Sequence, residues 1–81
     1  MEPSKIEVEL LRFLSREIFA PEVKLAPTTD LVASGFDSMS LVRVLLFIET
    51  TFGLWIPEGE ITTAALRDVR SLAATVARLL S

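Results

Sequence analysis

The sequence predicts an all-α fold: a small four-helix bundle with three longer helices, one short helix and a long first loop. Three observations carry that expectation. Apolar residues recur at helical spacing in three separate segments, and cap or stop residues stand at the segment ends. The chain has 81 residues, which is one domain's worth, residues 1–81, with a limited core. Half of the residues are apolar, too many for a disordered tail.

Taken in order, Ser4 followed by Glu7 has capping-box spacing and predicts the first helix start. Ile6, Leu10, Phe13 and Leu14 then form one apolar stripe, which Ile18 widens. Ala20-Pro21 ends the helix, because the residue before a proline avoids the α region. Pro21 to Asp37 is a long connection, and long ordered loops tend to be functional. Its apolar residues Val23, Leu25, Leu31, Val32 and Phe36 are expected to pin it to the helices.

A second helix is predicted from Ser38 to about Phe52, stopped by Gly53. A short apolar connector, Leu54 to Pro57, follows, and Glu58 to Leu66 allows one short helix. Trp55 is expected at the bundle edge with its N–H toward water; bordering a partner surface is the alternative. Glu58, Glu60, Arg67, Asp68 and Arg70 read as solvated charges. Ser71 reads as the N-cap of a last helix bearing Leu72, Val76, Leu79 and Leu80.

The residue inventory excludes several function classes. There is no cysteine, so neither disulfides nor thiolate metal sites are available. Histidine and tyrosine are absent too, which removes the commonest general base and metal ligand. No catalytic or metal-ligating residue is assigned, and the chain is not expected to be an enzyme. A formal charge of −3 argues against nucleic acid. Glu2, Glu7 and Glu9 leave no signal-peptide pattern, and the longest apolar run, Val44–Ile48, is far short of a membrane span. A cytoplasmic monomer is expected.

The second helix holds more apolar residues than one buried stripe needs: eight of the twelve from Leu41 to Phe52. At about 100° per residue, Leu41, Val44, Leu45, Ile48 and Phe52 share the core face. Met39, Val42 and Leu46 fall opposite, beside Arg43, Glu49 and Thr50, with Phe47 on a flank. Either the helix is central and covered all round, or this outer face is a docking surface.

Asp37 can cap the second helix alone, leaving the Ser38 hydroxyl free at a helix end that favours a phosphate group. Without a base nearby, Ser38 is better suited to be modified by another enzyme than to attack by itself. By position alone, cap and carrier stand level.

The stretch from Gly35 to Pro57 resembles the core of the acyl carrier and peptidyl carrier proteins. The shared pattern is Gly35, Asp37, Ser38, Met39, Glu49, Phe52, Gly53, Ile56 and Pro57, with Thr28 to Ser38 upstream and the last helix downstream. The resemblance implies that Ser38 receives 4′-phosphopantetheine from coenzyme A through a separate Mg²⁺-dependent phosphopantetheinyl transferase. The terminal thiol of that arm would hold acyl or aminoacyl groups as thioesters, which accords with a chain lacking cysteine. It implies that Asp37 aids recognition by the transferase and that Met39 contacts partners. These would include a loading ligase or acyltransferase and downstream pathway enzymes.

The chain departs from carriers of bacterial fatty-acid synthesis, whose second helix is rich in acids. Here Arg43 balances Glu49, so the expected partner face of Met39, Val42, Arg43, Leu46 and Glu49 docks mainly by apolar contact. A dedicated pathway (polyketide, nonribosomal peptide or aminoacyl transfer) is expected in place of primary fatty-acid synthesis. A start at Met1 without linkers suggests a discrete carrier. The alternative is an unmodified helical adaptor that binds a protein through the same face.

Overall fold

A computed structural model of the chain describes residues 2–81. Its elements are α1 (Pro3–Phe13), a π-turn (Leu14–Ile18), α2 (Ser38–Phe52), a 3₁₀ turn (Glu58–Glu60) and α3 (Val69–Leu80). The fold is all-helical among the described residues. The segment Glu58–Leu66, expected as a fourth helix, is the 3₁₀ turn and then a separate single turn, closed by Leu66 N–H donating to the Thr62 carbonyl. Thr62 Oγ1 accepts from the Ala65 N–H at 3.1 Å and holds that turn locally.

The start of α1 differs from expectation. The helix begins at Pro3, with Glu2 as an extended N-cap that makes no side-chain cap bond. A proline in the first turn has the right φ already and lacks an N–H that would otherwise go unpaired, so no capping box is needed. Ser4 therefore lies inside the helix, and Glu7 faces Arg70 of α3 at 3.7 Å instead.

The α1 stripe is as expected: Ile6, Leu10 and Leu14 are fully buried. Beyond Phe13 the helix widens, with Phe19 N–H donating to the Leu14 carbonyl five residues back at 2.9 Å. Phe19 then turns extended and is itself buried, an unpredicted core residue. α1 packs chiefly on α3, whose Val69, Leu72, Ala73 and Val76 are buried, while α2 adds Val44, Leu45 and Ile48.

Asp68, not Ser71, caps α3: its carboxylate accepts the Ser71 N–H at 2.8 Å. It is only 5% exposed, so the reading of Asp68 as a solvated charge is corrected. Nor are its neighbours all free in solvent, since Glu60 bonds Arg78 and Arg70 faces Glu7.

The long loop is a chain of turns stitched to the start of α3. Leu31 N–H donates to the Arg67 carbonyl at 3.0 Å, and Arg70 N–H donates to the Pro27 carbonyl at 2.9 Å. Leu31 and Phe36 are buried, and Val23 and Leu25 are partly so. Val32, expected to pin the loop, is 65% exposed; the turn from Asp30 to Gly35 points it away from the core. Gly35 closes this turn at φ +113°, with Phe19 packed nearby, and an L residue is strained there.

Gly35→Ala should cost about 1–3 kcal/mol through backbone strain, read from urea unfolding. Asp68→Ala should cost about 1–2 kcal/mol through the lost cap. Burial pushes the Asp68 carboxyl up, but the bonds from Ser71 and the charge of Arg67 outweigh that and hold it below the usual aspartate range. A depressed folded value means that the stabilisation is complete above about pH 4 and fades as pH falls through the lower folded value. Acid unfolding followed by circular dichroism should therefore have a shallower dependence on pH in Asp68→Asn.

Candidate functional site

Asp37 is the N-cap of α2, with extended backbone at φ −127° and ψ −173°. Its Oδ1 accepts both the Ser40 N–H and the Ser40 hydroxyl, each at 2.9 Å. The backbone bond from Ser40, followed by the bond from its side chain, lowers the Asp37 carboxyl below its ordinary value, so it stays ionised. An ionised cap stabilises the positive end of the helix.

Ser38 is the first residue of α2 and is exposed. Its hydroxyl has no hydrogen-bond partner among the described residues, and it is Ser40, not Ser38, that bonds the Asp37 carboxylate. The expectation that Asp37 caps the helix alone thus matches the geometry. Two buried anchors upstream, Leu31 and Phe36, and the Gly35 turn between them fix where the loop delivers this serine. Phe36 N–H donates back to the Leu31 carbonyl at 2.9 Å and closes that short arc.

The other expected site residues lie on the outside of α2. Met39 is 72% exposed, Val42 52% and Leu46 50%. The outer face is therefore open to solvent, not covered by the bundle. Arg43 and Glu49 are exposed on the same side. Arg43 approaches Glu17 of the π-turn at 3.5 Å, a contact that the helical periodicity could not show. Glu49 has no ion-pair partner among the described residues. Gly53, in the left-handed region at φ +69°, ends the helix with its N–H on the Glu49 carbonyl. Trp55 is exposed beyond that end. Because α2 rises about 1.5 Å per residue, its C-terminal end lies about 20 Å from Ser38.

Sequence reasoning missed two features around this face. Phe13 and Phe47 stack with ring centroids 4.2 Å apart and planes at 16°, joining the π-turn side of the molecule to α2. Phe52 meets the edge of Phe47 at 6.1 Å. The signal for the pair was the flank position of Phe47, but its partner is remote in sequence. The second feature is Arg16, exposed beside Phe13 and Phe47 with no ion-pair partner among the described residues.

Among known proteins, the profile of the phosphopantetheine attachment site matches residues 9–76. No curated relative matches the chain in sequence. The fold is similar to a chain in the crystal structure of a Bradyrhizobium japonicum glycine:carrier protein ligase complexed with glycylated carrier protein. The TM-score is 0.70 at 27% identity, over 90% of this chain and 96% of that one. A second structure holds the same ligase with its cognate carrier protein and an analogue of glycyl adenylate. There the TM-score is 0.72 at 28% identity, over 94% of this chain and 96% of that one. Such coverage of both partners means that the matched chain has this chain's size, that of the carrier. With the profile spanning most of its length, the chain belongs to the phosphopantetheine attachment-site family: it is a carrier domain that takes 4′-phosphopantetheine, and not an enzyme.

Proposed function

We propose that Ser38 is the attachment residue and that the chain carries an aminoacyl group, loaded by a dedicated ligase. The observation that carries this reading is the exposed Ser38 hydroxyl, left without a partner at the start of a 15-residue helix whose cap is already satisfied by Asp37. The residues suit the group. A phosphodiester at Ser38 would sit at the positive end of α2, where free N–H groups and the helix dipole favour negative charge. When bound, the arm supplies a thiol that holds its cargo as a thioester.

The chain's own residues provide placement. Asp37 keeps Ser40 engaged and the first turn intact, and the buried pair Leu31 and Phe36 holds the loop that leads into it. Met39, Val42 and Leu46 offer partners an apolar face that begins one residue after the attachment point. Arg43 and Glu49 border it with opposite charges, so docking depends mainly on apolar burial. Aminoacyl cargo is favoured over a fatty-acyl chain by the similarity to carriers solved with a glycine ligase, and by an α2 that lacks an acidic face. Within dedicated biosynthesis, aminoacyl transfer is therefore the best supported pathway type.

Intact mass after incubation with coenzyme A and a broad-specificity phosphopantetheinyl transferase tests the attachment. The chain should gain one phosphopantetheine, and Ser38→Ala should gain none while keeping its helical circular dichroism. A folded wild-type chain that gains nothing would return the protein to the adaptor reading. For docking, Val42→Asp and Leu46→Asp should each slow loading by a ligase that charges the holo chain by about tenfold, close to 1.4 kcal/mol. Raising the salt should change wild-type loading far less than either substitution does; a steep loss at high salt would contradict apolar docking.

A further inference from the structure

The groove between the π-turn and α2 has a feature that the apolar face lacks: an unbalanced charge. Its floor is the Phe13–Phe47 stack, half-buried and braced by Phe52. Two adjoining hollows of about 260 and 330 Å³ open over these rings. Leu46 lines one of them and also belongs to the exposed face of α2, so groove and face are continuous.

Three arginines and two glutamates surround the floor, in a chain whose formal charge is −3. Arg12 pairs with Glu9 at 3.0 Å, and Arg43 pairs with Glu17 at 3.5 Å. Arg16 is exposed and has no ion-pair partner among the described residues. The groove is thus locally positive on a protein that is negative as a whole. Its two ion pairs are between exposed groups, which hold each other weakly and can exchange partners. A guanidinium with a free fork beside an aromatic floor is suited to a carboxylate carried next to an apolar side chain. Arginine and aromatic residues are also the types that most often anchor protein interfaces.

We propose that this groove docks an acidic, apolar segment of the loading partner: an apolar side chain covers Phe13 and Phe47, and a neighbouring carboxylate takes Arg16. The proposal deepens the carrier reading by naming the chemistry of the partner surface, and it rests on that reading for the identity of the partner. The contact is short-range and adds to the apolar docking at Leu46; it does not steer from a distance, since the chain's net charge has the wrong sign for that.

The test uses two blocked peptides with the same leucines, one bearing glutamates and the other lysines at the remaining positions. Each is titrated into the ¹⁵N-labelled full chain and followed by amide shifts. The glutamate peptide should move the amides of Phe13, Arg16, Phe47 and Thr51 and bind at least about fivefold more tightly than the lysine peptide, a difference near 1 kcal/mol. Arg16→Glu, at an exposed position that leaves the fold intact, should reverse the preference, and Arg16→Lys should keep part of it. Equal response to both peptides, no response, shifts confined to Met39 and Val42, or the same shifts on concentrating the chain alone would each overturn the proposal. Ser38→Ala should bind both peptides as the wild type does. A failed attachment at Ser38 and a failed groove are therefore separate results.

Discussion

The carboxylate of Asp37 accepts two hydrogen bonds from Ser40, and that commitment governs the chemistry around it. Were Ser38 itself the cap, its hydroxyl would be turned onto the backbone and closed to modification. Because an aspartate one residue earlier caps the helix, the first helical residue has an unused hydroxyl at the positive end of a helix dipole. The same device recurs at the start of α3, where Asp68 accepts from Ser71. There the carboxylate is buried and closes the start of the helix. One local motif, an aspartate followed three residues later by serine, thus caps a helix in both places and at α2 leaves the intervening Ser38 hydroxyl exposed.

The loop that places Ser38 ends at the Asp37 cap. Its backbone bonds to Arg67 and Arg70 tie it to the residues around the α3 N-cap, so the loop that leads into α2 is held at the start of α3. Buried Leu31 and Phe36 give this loop its own small share of core, which is why a connection of such length has a defined course. The strain-prone turn at Gly35 is needed for the chain to leave the Leu31 anchor and enter α2 over Phe19. The position of Ser38 at the start of α2 is set by two apolar anchors and one glycine.

The second helix was the most legible element, from Ser38 through Phe52, because its cap, its stop at Gly53 and its two apolar faces are all local properties. The core face of Val44, Leu45 and Ile48 and the open face of Met39, Val42 and Leu46 could be sorted by angle alone. The π-turn could not: Leu14 and Ile18 are compatible with an ordinary helix, and the widening serves the burial of Phe19. Asp68 looked like one charge among several, since burial depends on the loop that covers it. Val32 looked like an anchor, and a turn directs it outward.

The sequence by itself determined the presence of the three longer helices, the ability of Asp37 to cap the second of them and the amphipathic sorting of α2. These follow from spacing and side-chain chemistry within a few residues. Only the tertiary structure decided which face of α2 remains uncovered, that Arg43 meets Glu17, and that Phe13 stacks on Phe47 in a hollow that Arg16 also lines. Those contacts join residues far apart in the chain. Local periodicity says how each helix faces a core, and packing alone says which side chains of different elements share a groove.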